Sequence, residues 1–389
     1  MTTMANLTEE SISEAIDRIR PIIEQHSDEA EGERRLPEAV VAAMQREGLF
    51  KLWLPKEYGG AELDLLTYLK TVEEISRIDS AAGWIFANSA TSAVQAAFLP
   101  EAGAKEIFGG SALTAGSIVP RGHAVPALGG YRVSGQWPLA SGCHHAAWLA
   151  GNCLIFDGDT PRMDPVAGMP DFKLMFFPSG DCTILDTWYS TGMRGTGSTD
   201  FVVEDVFVPE HRTFSLFTAQ PRLPGALYKM RIEMLFLTAL VNVGLGIARA
   251  SIDAFVELAK AKTPTLSQTG LATRPTVHAD VARAEALYQS ARAYMHEVAR
   301  EMTAAVWTVG AVPEETEARR RLACLNAAEA CENVVDLMFR LGGASSIYAG
   351  HRLDRCLRDI HTVNQHLAAS PVWWEKTGQS YFGLGLGMP

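Results

Sequence analysis

Two histidines close the stretch LDRCLRDIHTVNQH, residues 353–366, five positions apart and behind an Arg-Asp pair. On a helix each residue turns about 100° around the axis. His361 and His366 would then stand roughly 140° apart, too far round to chelate one ion from a single helix. Zinc-binding helices place histidine at i and i+4 instead. The spacing argues against a metal and leaves His366 as a candidate proton carrier, because an unperturbed imidazole titrates near ~6.5. His361, on another face, is expected to meet solvent or a neighbouring subunit.

Other residues could also do chemistry. CHHAAW, residues 143–148, supplies His144 and His145; neighbours along a strand point to opposite faces, so at most one would face a pocket. LASG, residues 139–142, carries Ser141 but lacks the G-x-S-x-G elbow of a serine hydrolase. GLGIAR, residues 244–249, lies inside a helical run, where its glycines favour close packing over phosphate binding. No G-x-G-x-x-G follows a strand, which fits a nicotinamide site on some other chain.

The chain of 389 residues is long enough for two or three packed layers. Its 20% charged and 47% hydrophobic residues are ordinary for a globular enzyme. A formal net charge of −11 makes nucleic acid or an anionic membrane a poor partner. No apolar run approaches the ~20 residues of a membrane span, and the polar, acidic amino terminus lacks a signal-peptide core. A cytoplasmic location is the expectation. Six cysteines without a CxxC pair read as reduced, mostly buried thiols, with Cys324 and Cys331 sharing one helix face.

The elements that must position these residues change along the chain. From Leu7 to about Phe108 isoleucine, leucine and alanine recur at helical spacing. From about Leu113 to Pro209 come short runs rich in β-branched and aromatic residues, broken by Gly, Pro and Ser: GGYRVSGQW, AAWLAGNCLIF, FKLMFFPSG and TDFVVEDVFVP. Helical runs return at roughly 228–263, 275–309, 314–341 and 352–368, jointed by PTLSQTGLATRP and LGGASSIYAGH. The fold class is α+β: a helical domain (1–110), an antiparallel β-sandwich or barrel (111–225) and a helical bundle (226–389).

That order, together with LPEAVVAAMQREGLFKLWLPKEYGG, GGYRVSGQWPLASG, WYSTGMRGTGSTDFVVEDVFVP and RLDRCLRDIHTVNQH, resembles the acyl-CoA dehydrogenase superfamily over nearly the whole chain. The resemblance implies a carboxyl-terminal four-helix bundle and a homotetramer. Dehydrogenases of the family need a carboxylate base, in many of them shortly after the Arg-Asp pair and in a known variation on an earlier helix. The corresponding position here is about Leu367, IYAG at 347–350 precedes the pair, and Glu233 is a distant substitute. The motifs Trp188–Ser198, Leu139–Gly142 and Arg358–His366 are instead similar to those of the flavin-dependent monooxygenase branch. Membership there implies reduced FMN or FADH2 from a separate NAD(P)H:flavin reductase, O2 as co-substrate, and a flavin C4a-hydroperoxide that oxygenates an aromatic or heterocyclic small molecule.

The same resemblance assigns roles. Ser141 lies beside flavin N5, His366 reaches toward the hydroperoxide or the substrate hydroxyl, and Trp188 flanks the isoalloxazine. Arg274 is a candidate phosphate ligand, Arg194 steadies its loop, and the backbone of Gly342 and Gly343 approaches the cofactor. Many relatives carry a second histidine about eight residues beyond a Gly-Trp. Here that position is about Ser92, with Asn88 and Gln95 nearby, so Ser92, Asn88 and His145 are the candidate substrate-pocket residues. The missing histidine makes a simple phenol hydroxylation less expected than attack on a nitrogen, sulfur or indole-like ring. A catalytically inactive flavin-binding relative is the remaining alternative.

Overall fold

Thr8 opens the first helix, its hydroxyl accepting from Ser11 N while Ser11 reaches back to the Thr8 N–H. This reciprocal cap satisfies two donors that a helix start otherwise leaves unpaired. The computed structural model describes residues 7–110, 113–164, 168–216 and 218–387; residues 1–6, part of the polar amino terminus read above, lie outside them. The chain clusters into two compact units. One comprises Met1–Leu63, Ile85–Tyr189 and Arg194–Ile232, and the other Asp64–Trp84, Ser190–Met193 and Glu233–Pro389.

The first unit holds helices α1 (Glu9–Glu33), α2 (Glu38–Arg46) and α5 (Glu101–Phe108) and the whole sheet. On α1, Ile12, Ile16, Ile19 and Ile23 are buried, the 4-3-4 spacing of one helix face. The strands are β1 (Thr114–Ala127), β2 (Gly130–Trp137), β3 (Trp148–Asp157), β4 (Thr160–Pro161), β5 (Phe172–Pro178), β6 (Thr183–Ile184), β7 (Phe201–Pro209) and β8 (Thr213–Phe214). They pair in the order β6-β7-β2-β1-β3-β5-β8, with β4 on β3. The expected antiparallel texture holds except at the centre, where β1 and β3 run parallel, so the sheet is mixed. The reason is the route of the chain. A hairpin turns β1 into β2, and residues 138–147 then carry it across the end of β1 to start β3 on the other side. Trp137 anchors the core: its ring stacks on Phe201 at 5.0 Å and its Nε1–H donates to Asn152 O at 2.8 Å. Gly122, Gly135 and Gly151 lie against that indole, and a Cβ on any of them would overlap it.

The second unit holds α3 (Leu65–Ile78), α6 (Ile232–Ala261), α7 (Pro275–Val309), α8 (Glu314–Gly342), α9 (Arg352–Val363) and α10 (Val372–Gly378). The boundaries of the first three long carboxyl-terminal helices fall within four residues of the sequence expectation. The fourth ends early, at Val363 rather than 368. Helix α4 (Ser80–Ser92) belongs to both units along its length. One expectation needs correcting: α6 contains an 18-residue window of mean hydropathy 1.7, apolar enough to cross a membrane by length and composition. Of that window 89% is buried, as for an interior helix. The cysteines are free thiols, five of the six buried, and Cys324 and Cys331 both sit on the buried face of α8.

An enclosed ion triad ties α8 to the tail. Glu317 accepts from Arg320 at 2.6 and 2.8 Å and from Arg321 at 2.9 Å, and Arg321 also donates to Gly387 O at 2.8 Å. Burial alone would raise the Glu317 carboxyl, but the two guanidinium groups outweigh it and hold the acid below the usual carboxylate range. A folded value below the unfolded one adds stability above the ordinary carboxylate range, and that stability is lost as pH falls through the folded value. Glu317→Ala is therefore expected to lose ~3–5 kcal/mol at neutral pH, because two buried cations are left unpaired. Urea unfolding should show that gap narrowing below about pH 4.

Candidate functional site

Strand register brings two motifs together in the first unit. Trp137, last in β2, pairs with Phe201, first in β7, so the loop after β2 and the loop before β7 leave the sheet at the same end. They zip to each other: Ala140 N donates to Thr199 O and Gly142 N to Thr196 O, both at 3.0 Å. The Ser141 and Ser198 hydroxyls are 2.6 Å apart, as are those of Ser198 and Thr196. A continuous row of three buried hydroxyls results, one that can relay polarity or a proton. The Cys143 thiol meets the Thr199 hydroxyl at 3.0 Å, and burial raises its pKa, so it stays protonated. Leu139, Gly142 and Gly197 have φ of 62°, 78° and 53°, the left-handed conformation that lets both loops turn tightly.

Trp188 is half-buried and stands outside the aromatic core of the sheet, which removes the reading of it as core filler. Its carbonyl accepts from Arg34 Nη1 at 3.1 Å. Arg194 donates to the Glu31 carbonyl at 3.2 Å, the loop-steadying contact expected of it. His144 and His145 occupy a turn rather than a strand, so face alternation does not apply, and both line one cleft of about 290 Å³ with Arg35, Glu33 and Glu38. His145 Nδ1 lies 3.2 Å from Glu38 Oε2. Burial first, then Arg35, lowers the pKa of His144. On α4, Trp84, Asn88 and Ser92 are the residues not fully buried, at i, i+4 and i+8 of one face. Ser92 Oγ donates to the Asn88 carbonyl at 2.9 Å, and Gln95 is buried.

In the second unit His366 lies three residues beyond α9, not on it. It caps a short turn over Leu367–Ala369, its Nδ1 accepting from Ala368 N at 3.1 Å. That local bond competes with helix continuation. An Nδ1 that accepts carries no proton, so the neutral ring holds its proton on Nε2. Trp84 meets the imidazole edge-on at 5.5 Å and Phe236 at 6.2 Å. Burial in these surroundings pushes its pKa down to about 4. The ordinary value near 6.5 assumed from sequence therefore does not hold, and His366 is uncharged at neutral pH. His361 Nε2 pairs with Asp336 at 3.0 Å on an exposed surface.

The Arg-Asp pair positions backbone. Asp359 accepts from Met193 N at 2.5 Å and from the Ser80 hydroxyl, and Arg358 donates to Thr191 O at 2.9 Å. Gly192 lies so close to the Arg358 carbonyl that a Cβ would overlap it. Arg274 is half-buried at the start of α7, and its guanidinium has no acid partner among the described residues. Gly342 packs against Ser346 and Leu353, and its carbonyl accepts from Lys262 Nζ at 2.6 Å, while Gly343 turns with φ 57°. Leu367 is exposed and offers no carboxylate, and Glu233 sits in the first turn of α6. The motif ending at Ser198 was read from sequence without singling out Thr196 or Ser198, although two small hydroxyl residues flanking a glycine just before a strand were the available signal. It gave Arg34 no role.

A flavin asks for hydrogen-bonding groups beside its ring edge and a cation for its phosphate. In the first unit the hydroxyl row of the two loops suits the first demand; in the second unit Arg274, without an acid partner among the described residues, is a cation of the kind the second demand calls for. Comparison with known proteins agrees. Residues 8–107 match the family described as "Acyl-CoA dehydrogenase, N-terminal domain" and residues 238–371 its "C-terminal domain". The indole-3-acetate monooxygenase of Pseudomonas putida is 32% identical over 357 residues, 91% of this chain and 89% of that protein. The flavin-dependent monooxygenase oxygenase subunit HsaA of Rhodococcus jostii (strain RHA1) is 31% identical over 385 residues, covering 95% and 97%. The solved structure of XiaF from Streptomyces sp. in complex with FADH2 and glycerol superposes with a TM-score of 0.90 at 28% identity, covering 98% and 97%.

The chain thus belongs to the acyl-CoA dehydrogenase superfamily, in its branch of two-component flavin-dependent monooxygenases. It is an oxidoreductase. The state of the His366 imidazole can be checked directly. Nitrogen-15 NMR of histidine-labelled protein is expected to show one ring that stays neutral in the Nε2–H form to about pH 4 and disappears in His366→Gln. A His366 midpoint near 6.5 would contradict the burial argument.

Proposed function

We propose that this chain is the oxygenase component of a two-component system, receiving reduced flavin from a separate NAD(P)H:flavin reductase and using O2 to oxygenate an aromatic or heterocyclic small molecule. FADH2 is favoured over FMNH2 because the XiaF complex holds it. A cytoplasmic homotetramer is the assembly expected of the family.

Reduced flavin, when bound, supplies the electrons and the site at which O2 is activated. Ser141 offers its hydroxyl to the ring edge, backed by Ser198 and Thr196. Trp188 would flank the ring, Arg274 would hold the phosphate and the Gly342-Gly343 backbone would lie against the cofactor. His366 donates from Nε2 to an oxygen of substrate or co-substrate, since Nδ1 is already engaged. The apolar rings of Trp84 and Phe236 help keep water from that imidazole. The α4 face narrows the substrate. The Ser92 proton is committed to the Asn88 carbonyl, so Ser92 can accept a hydrogen bond but is no base for a phenolic proton. An electron-rich ring that needs no such deprotonation, as in the indole substrate that one relative's name records, fits best.

The observation that carries the reading is the hydroxyl row joining Ser141 to the Thr196–Ser198 loop. To test it, chemically reduced FADH2 is mixed anaerobically with the protein and an indole, phenol or thiophene, and ¹⁸O2 is then admitted. Mass spectrometry should find one ¹⁸O in the product. Oxidation of an acyl thioester by an artificial acceptor, with no label incorporated, would assign the dehydrogenase reaction instead. Ser141→Ala should weaken flavin binding about fivefold, the worth of one neutral hydrogen bond. His366→Ala should slow product formation by roughly 10²-fold, with His366→Gln, which keeps an N–H donor, falling between.

A further inference from the structure

Helix α1 ends on a residue that its backbone disfavours. Arg34 has φ 55° and ψ 31°, the left-handed cap where glycine is the usual occupant because a Cβ crowds the following carbonyl. A side chain kept at such a position marks a contact worth more than the strain. The Arg34 guanidinium bonds Asp186 through both nitrogens, at 2.7 and 3.1 Å, donates to the Trp188 carbonyl at 3.1 Å, and stacks 4.1 Å over the Tyr189 ring. The Tyr189 hydroxyl donates back to Asp186 at 2.5 Å. These bonds, with Arg34 first and Tyr189 second, hold the Asp186 carboxyl down at about 2, so the pair stays charged at any working pH. One turn earlier on α1, the Glu31 carbonyl takes Arg194 Nε at 3.2 Å. The last turn of α1 thus grips both ends of the segment that runs from Trp188 to the Thr196–Ser198 hydroxyls.

We infer that Arg34 is a positioning residue for the oxygenation reaction: it fixes the Trp188 carbonyl, and with it the loop proposed above to meet the flavin. This rests on that reading of Trp188 and Ser141. Arg34 itself touches no reacting atom. It sets the loop so that reduced flavin binds in one pose and activated oxygen reaches substrate instead of escaping as hydrogen peroxide. The ordinary alternative is a clamp that serves stability alone.

Arg34→Gly separates the two, because it deletes the guanidinium while giving the backbone the residue it prefers. Wild type, Arg34→Gly, Arg34→Lys, Asp186→Asn and the double variant Arg34→Gly/Asp186→Asn are compared for melting temperature, reduced-flavin Kd and the ratio of product formed to O2 consumed. Arg18→Met, which removes a similar α1 ion pair with Glu47 away from the loop, is the control.

The positioning role predicts an unchanged or raised melting temperature in Arg34→Gly, a flavin Kd raised about tenfold and at least a threefold fall in coupling. Arg34→Lys should recover only part, lacking the fork that reaches both Asp186 and the Trp188 carbonyl. The double variant should be little worse than Arg34→Gly. Wild-type coupling and Kd in both Arg34→Gly and Asp186→Asn would overturn the inference, as would losses that simply track a lowered melting temperature. A wild-type protein that incorporates no label from ¹⁸O2 would instead fail the functional reading itself.

Discussion

The pairing of Trp137 with Phe201 across β2 and β7 is the constraint on which the rest of the site in the first unit depends. It is a plain sheet contact, deep in an aromatic core and buttressed by three glycines that leave room for the indole. Once it is made, the two loops that extend past it have no freedom to separate, and their own amide groups must find partners. They find each other, at Ala140–Thr199 and Gly142–Thr196, and so the hydroxyls of Ser141, Ser198 and Thr196 fall into one row. Strand register, set by hydrophobic alternation, therefore fixes the placing of a polar group several residues beyond the strand end. A slip of one residue would turn the whole row away.

The second unit makes a different use of burial. Among the described residues no carboxylate is paired with His366; two aromatic edges face the ring and an amide occupies Nδ1. Desolvation disfavours the imidazolium, and the accepting bond fixes which nitrogen carries the proton. A histidine held this way is a directional donor over the physiological range, not a group poised midway in its titration. To act as a base it would first have to give up the Ala368 bond. Local geometry and electrostatics agree, which makes the tautomer a property of the fold and not of pH.

Much of this was legible beforehand, and the failures have physical causes. Helical periodicity located α6, α7 and α8 because those helices bury a face over many turns, so the signal is long and redundant. Short strands rich in Val and Phe marked the sheet, but pairing partners are non-local, and nothing in the alternation distinguishes the parallel β1–β3 neighbour from an antiparallel one. His366 was placed on a helix since Thr362 to Gln365 carry no breaker; its own side chain, bonding two residues ahead, ends the run. Adjacent His144 and His145 were read as strand residues of opposite facing, and a turn over 141–145 puts both at one cleft. Ser141 stood out through its motif, whereas Ser198 and Thr196 acquire meaning only once the loops meet.

Backbone strain follows the same division. Glycine supplies most of the left-handed positions, at no cost, in turns remote from any chemistry such as Gly129 and Gly310. Residues with side chains in that conformation are few among those described, and three of them, Arg34, Leu139 and Met193, lie in or against the loops that carry the site motifs. Met193 is held there by the Asp359 carboxylate, through its own amide, and Arg34 by its bonds to Asp186 and the Trp188 carbonyl. In each of these two cases side-chain hydrogen bonds offset the conformational cost. The Arg-Asp pair of α9 therefore fixes the backbone of residues 191–193 within the second unit. Its value lies in making a strained loop the most stable one available.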